Sequence, residues 1–364
     1  MRTTLDRSAW RKLGASAGTA LAILLAAPAL APARAPDVDC VTDAGACAVG
    51  ANCRVLEVDG HPREFVVYVP ATRPTTGSRA PVVFMFHGSS GSGGQFLRIS
   101  GWREQADAHG LVAVFPTGLR YRMLDSGRRV TKWNDGDLRS QVDLDDLPRR
   151  YPEDAPFPAD DVCFVDTMLA DLGARLPIDR TRIYASGFSN GANFAARLAV
   201  ERSTVLAAAA FSAGGLHVAR SPERPIPMSM SVGTRDDGVL AHTGLAELPL
   251  DPLAILSEPV LGAAIDTHLT TLGLDDRLYG AMARPLYTEL RWPAAGTGPD
   301  GAVLSFTMLA GLGHSYPNGR NNPAGFEAAP EFWRFFAEHA LPFTPPIGTD
   351  KGSRQVRPRV RASG

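Results

Sequence analysis

The segment from Arg182 to Ala199, R-I-Y-A-S-G-F-S-N-G-A-N-F-A-A-R-L-A, constrains the fold more than any other part of the chain. Arg182 to Ala185 read as a short strand, Gly187-Phe188-Ser189-Asn190-Gly191 as a sharp G-x-S-x-G turn, and the small residues that follow as a helix. Reversal from strand to helix in so few residues strains the serine backbone and leaves its neighbours no room for a Cβ, hence the flanking glycines. The turn holds the Ser189 hydroxyl where a carbonyl carbon can reach it. Five such letters are common in a chain with 36 glycines. The strand before and the helix after give them meaning, because a helix N-terminus directs free N–H groups and a positive dipole end toward a developing oxyanion.

The rest of the chain repeats the strand–helix rhythm. Val82 to Phe86 form a continuous apolar run, as in a strand buried on both faces, and lead into His87-Gly88-Ser89-Ser90-Gly91. A helix pattern through Trp102 and Ala106 precedes a second run, Leu111 to Phe115. Helices near 162–175, 190–201, 260–272 and 329–339 then alternate with strands near 182–185, 205–211, 227–232 and 303–309. This alternation predicts an α/β fold: a mostly parallel central sheet with helices on both faces. Glu64 to Val69, ending at Pro70, reads as an edge strand whose hairpin partner lies around Cys53 to Val58, with Asp59-Gly60 as the turn. Residues 118–160 and 238–300 fall outside the rhythm and are as readily an active-site rim or lid as solvated loops.

The ends differ from the middle. Arg2, Arg7, Arg11 and Lys12 precede an apolar run from Ala17 to Ala27, then Pro28 and alternating alanines through Ala35. This predicts a secretory signal peptide over 1–35, cleaved after Ala33 or Ala35, rather than a stable membrane anchor, since Pro28 and Pro32 interrupt the run. Without that basic segment the body is mildly acidic, which argues against nucleic acid as a partner. In an exported chain the four cysteines suggest pairing. Cys40, Cys47 and Cys53 crowd a short segment at 36–54 and predict one bridge among themselves, whereas Cys163, in a helix pattern, is as readily a free thiol as a paired one. Residues 55–342 form the expected catalytic domain. The tail at 343–364, basic and almost without apolar residues, is expected to be disordered.

A serine hydroxyl needs a base, and the base needs a group that fixes its tautomer. Downstream of Ser189, the strand Pro227 to Val232 runs into Gly233-Thr234-Arg235-Asp236-Asp237. Asp236 is the better candidate acid, with Asp237 as the alternative. The last strand, from Ala302 to Leu309, leads to Gly311-Leu312-Gly313-His314, which makes His314 the candidate base. The order Ser, acid, His is that of the α/β-hydrolase fold. The oxyanion donors expected are the backbone N–H groups of Asn190 and Ser89. Trp133 is a candidate aromatic wall for an acyl or sugar group. No metal or organic cofactor is expected.

Taken together, these motifs resemble the secreted esterases that include poly(3-hydroxybutyrate) depolymerase-like proteins and the feruloyl esterases of carbohydrate esterase family one. The resemblance spans about residues 55–340. It rests on H-G-S-S-G at His87, Asp161-Val162 with Phe164, G-F-S-N-G at Gly187, G-T-R-D at Gly233 and G-L-G-H-S-Y-P at Gly311. It implies Ser189, Asp236 and His314 as the triad, an acyl-enzyme, and a small-molecule or oligomeric ester substrate of the polyhydroxyalkanoate, feruloyl or aryl type. Ala192, Phe194, Tyr316 and Cys163 depart from residues frequent in the group, so the substrate does not follow from it. The same triad would serve an acyltransferase, and a hydrolase scaffold can also be kept by a secreted binding protein without catalysis.

Overall fold

Side-chain alternation along the buried strands decides the layers. Val82, Phe84 and Phe86 project to one side of the sheet and Val83 and Met85 to the other, and all are fully buried, so both faces must be covered. The computed structural model describes residues 47–72, 78–146, 159–294 and 302–342. The expected leader, Cys40 and the basic tail lie outside the described residues.

The strands are β1 (Gly50–Val58), β2 (His61–Val69), β3 (Ala80–Phe86), β4 (Val112–Pro116), β5 (Leu119–Arg122), β6 (Arg129–Lys132), β7 (Ile178–Phe188), β8 (Ala208–Ser212), β9 (Met228–Arg235), β10 (Gly280–Ala283), β11 (Tyr287–Pro293) and β12 (Ala302–Gly313). All but β5 and β6 join one sheet in the order β1-β2-β4-β3-β7-β8-β9-β12-β11-β10. The run from β4 to β12 is parallel throughout, and antiparallel strands extend it on either side. This is the expected α/β-hydrolase architecture.

The principal helices are α1 (Gly93–Ile99), α2 (Trp102–His109), α3 (Asp161–Arg175), α4 (Asn190–Glu201), α5 (Pro259–Leu272) and α6 (Ala328–Ala337). α3, α4 and α5 cover one face through Phe164, Met168, Phe194, Leu198 and Ile265. α1, α2 and α6 cover the other through Phe96, Trp102, Phe332 and Phe336. Burial of each such aromatic or aliphatic side chain contributes about 1.5–3 kcal/mol. Phe336 stacks on both Tyr184 and Trp102, with centroids 4.6 and 5.8 Å apart, which ties the last helix to the strand that carries the elbow.

Two expectations need correction. β2 is not an edge strand, because its hairpin partner β1 lies outside it while β4 pairs with its other side. Within 238–300, the stretch that broke the rhythm supplies β10 and β11, which continue the sheet antiparallel to β12. Of the cysteines, Cys53 is disulfide-bonded, and Cys47 and Cys163 are free thiols. Among the described residues no helix is long and apolar enough to cross a membrane.

Candidate active site

β7 ends at Phe188 and α4 begins at Asn190, so Ser189 alone makes the reversal, with φ 54° and ψ −125°. A non-glycine residue held at positive φ costs on the order of 1–3 kcal/mol. The strain is held by the Ser189 N–H, which donates to Ser212 O at 3.0 Å, and by the Ser189 carbonyl, which accepts from Ala192 and Asn193. The flanking glycines are obligatory for space. A Cβ on Gly187 would lie 2.2 Å from Gly191 O, and one on Gly191 would lie 2.3 Å from Phe86 O.

Sheet register delivers the other two residues. β9 and β12 are parallel neighbours with Gly313 opposite Arg235, so the residues that follow, His314 and Asp236, emerge side by side at the C-terminal edge. His314 Nδ1 lies 2.9 and 3.1 Å from the two Asp236 oxygens, and its Nε2 lies 2.9 Å from Ser189 Oγ. With Nδ1–H donating to the carboxylate, Nε2 is left to accept the serine proton. Asp236 is 1 % exposed and also caps the helical turn Asp237–Leu240 by accepting from Val239 N. Asp237, the alternative acid, is exposed and has no hydrogen bond to the imidazole among the described residues. The hydrogen bond to Asp236 holds the His314 pKa above its ordinary value, against the opposing effect of burial.

The loop after β3 lies against the serine: a Cβ on Gly88 would sit 3.2 Å from Ser189 Cβ. The backbone N–H groups of Ser89, next in this loop, and of Asn190 have no acceptor among the described residues. His87 fixes the loop from below. It is fully buried, its Nδ1–H donates to Gly88 O at 2.7 Å, and its Nε2 accepts from Gly118 N at 2.9 Å. Burial pushes its pKa down to about 4, so it stays neutral and serves as a two-ended brace. Ser90 N donates to Thr131 O and Thr131 Oγ1 to Gly91 O, which fastens the loop to β6.

Trp133 is not a substrate wall. Its side chain is fully buried, stacked on Phe194 and edge-on to Phe86, and its Nε1–H donates to His87 O at 2.9 Å. Packing under the insertion claims the whole ring. Sequence reasoning also missed the polar stripe of α4. Asn190 exchanges hydrogen bonds with the Trp133 backbone and donates to Asp135, Asn193 donates to the same carboxylate, and Arg197 donates to Asn134 O. Residues 190, 193 and 197 recur at helical spacing on one face, and polar groups there inside an otherwise apolar helix were the available signal.

A cavity of about 300 Å³, between β11, β12 and α6, is walled by the ion pairs Arg291–Glu289 and Arg334–Glu331 and includes none of the triad.

No family model matches the chain. It is 27 % identical over 289 residues to "Putative esterase NocK" of Nocardia uniformis subsp. tsuyamanensis, an alignment covering 74 % of each protein. It is also 27 % identical over 180 residues to "Feruloyl esterase B" of Piromyces equi, which covers 48 % of this chain and 29 % of that relative. Among solved structures, it is similar to the acetyl xylan esterase from Aspergillus awamori, with a TM-score of 0.48 and 14 % identity over 79 % of this chain and 99 % of the other. An S-formylglutathione hydrolase from Agrobacterium tumefaciens gives the same TM-score and identity, over 80 % and 96 %.

Proposed function

We propose that this chain is a secreted serine carboxylic-ester hydrolase that works through an acyl-enzyme. One observation carries the proposal. A strained, raised serine faces the acceptor nitrogen of a histidine whose other nitrogen is held by a buried carboxylate, all within hydrogen-bond distance.

In the reaction, Ser189 Oγ attacks the ester carbonyl as its proton passes to His314 Nε2. The backbone N–H groups of Ser89 and Asn190 receive the oxyanion. Collapse of the tetrahedral intermediate returns the proton to the departing alcohol and leaves the acyl group on Ser189. Water then enters, gives its proton to His314, and the same steps release the acid. The names of the two sequence relatives support esters as the substrate, and one of them points to feruloyl esters. Polyhydroxyalkanoate-type oligomers fit the same chemistry. Export is supported by the basic and apolar pattern of residues 1–35.

A panel of p-nitrophenyl esters, methyl ferulate and hydroxybutyrate oligomers, assayed with the chain and with Ser189→Ala, tests this. Hydrolysis that falls by about 10³-fold or more in a folded variant is expected. Retention of more than about a tenth of the activity would remove Ser189 as nucleophile.

A further inference from the structure

Asp161-Val162 with Phe164 carries part of the family resemblance, yet neither the triad nor the oxyanion donors use it. Asp161 opens α3 and is fully buried, and its carboxylate has two partners. Oδ1 accepts from the guanidinium of Arg63 on β2, itself buried, and Oδ2 accepts from the Asn134 N–H at 2.6 Å. The Phe164 ring lies against the same guanidinium, 4.1 Å from centroid to Cζ. The motif thus builds a buried anchor, and Asn134 is what the anchor holds.

Asn134 belongs to a strap, Trp133-Asn134, that follows β6 and touches both sides of the proposed oxyanion hole. On one side, the Trp133 N–H donates to Asn190 Oδ1 at 2.7 Å and the Trp133 carbonyl accepts from Asn190 Nδ2 at 3.1 Å. These bonds fix the residue whose backbone N–H is one oxyanion donor. On the other side, the Trp133 indole N–H donates to His87 O at 2.9 Å, two residues before Ser89, the other donor. His87 O also lies against the elbow, since a Cβ on Gly191 would stand 2.4 Å from it. A shift of the strap therefore moves both donors. Neither Asp161 nor Arg63 has a hydrogen bond to the triad among the described residues, so their influence on it runs through the strap.

We infer that Asp161 is a positioning residue for the oxyanion hole, with Arg63 as its counter-charge and Trp133-Asn134 as the connection. The inference rests on the ester-hydrolase reading and deepens it. A buried ion pair adds little net stability over an apolar pair, whereas hydrogen bonds to a charged group fix direction. Direction is what a donor aimed in advance at an oxyanion requires.

Removing one partner alone strands a buried charge, so the test neutralises both. Arg63→Met with Asp161→Asn leaves an amide oxygen to accept from the Asn134 N–H; Arg63→Met with Asp161→Ala leaves no acceptor. The parent and both variants are compared in kcat and KM for p-nitrophenyl acetate, per folded protein, and in Ki for trifluoroacetophenone, whose adduct with Ser189 places an oxyanion in the hole. In the alanine variant kcat should fall about 10- to 100-fold with KM within about twofold, and Ki should rise by a similar factor. The asparagine variant should stay within about threefold of the parent in both constants. The His314 limb of the pH profile should not move in either, because the imidazole keeps its partners.

Ki does not depend on how much protein is folded, so a merely structural role would leave it unchanged. Lower activity with an unchanged Ki, equal losses in the two variants, or no loss in the alanine variant overturns the inference and leaves the hydrolase reading intact. Should the alanine variant not fold, Asp161→Asn alone carries the same comparison, since Arg63 and Asn134 then compete for one amide oxygen. In it kcat and Ki should change together, and a change in one alone, or in neither, overturns the inference. Failure of the parent to hydrolyse any ester overturns the hydrolase reading itself.

Discussion

Asparagine in place of Asp236 keeps the size of the side chain but reverses what it offers to His314. The carboxylate accepts from Nδ1–H at 2.9 and 3.1 Å; an amide can present its NH2 there instead, which puts the imidazole proton on Nε2 and blocks acceptance from Ser189. Loss of the correct tautomer costs on the order of 10⁴ in kcat, or about 5.5 kcal/mol of barrier. Stability should change far less. Asparagine can still accept from Val239 N at the helical turn, so the cap survives and the loss should stay near about 1 kcal/mol.

The pH dependence sharpens the expectation. His314 must be neutral to act as base, and its pKa is raised by the hydrogen bond to Asp236, so kcat/KM should rise with pH through a value above the ordinary histidine range. In Asp236→Asn the residual activity should show that limb moved to lower pH. A pKa raised by folding adds stability that is complete below the unfolded value of about 6.5 and is lost as pH rises through the folded value. The Tm difference between the parent and Asp236→Asn should therefore be larger at about pH 5.5 than at about pH 8.5. Steady-state kinetics with a p-nitrophenyl ester, alongside thermal melts, would measure both effects. The reasoning is refuted if Asp236→Asn keeps more than about a tenth of the activity, or if Asp237→Asn costs as much.

Trp133→Ala should lower stability by about 3–5 kcal/mol, because it empties a fully buried site and removes the bond to His87; a raised KM with an unchanged Tm would instead restore the ring to the substrate. Alkylation of unfolded, unreduced protein should modify Cys47 and Cys163 and leave Cys53 blocked until reductant is added, and peptide mapping that finds Cys53 free would contradict this.

Much of the frame was legible because it rests on short-range rules. A run such as Val82 to Phe86 has only one economical place, a strand covered on both faces, and G-F-S-N-G admits few backbone paths. The neighbourhood of Asp236 and His314 was readable for a similar reason, since both directly follow strand patterns that register brings together. What stayed hidden depends on partners distant in sequence. Asp59-Gly60 announces the β1–β2 hairpin, but nothing in Glu64 to Val69 announces the pairing with β4 that takes β2 off the edge, and β10 and β11 are short, part-exposed strands among prolines and charges. Trp133 looked available because its segment is polar. Its burial is decided by Phe86 and Phe194, far along the chain, and by the Asn190 side chain that clips the insertion to the elbow helix. His87 read as part of a Gly/Ser loop, and only the fold brings Gly118 to its second nitrogen.

The proposed chemistry passes through one covalent bond, and trapping it is the most direct test. Protein mixed with excess p-nitrophenyl ester and quenched in acid should carry one acyl group, located by peptide mass spectrometry on Ser189, with none on the Ser189→Ala variant. Turnover of the ester without acylation of Ser189, or an acyl group carried stoichiometrically by another residue, would contradict the account.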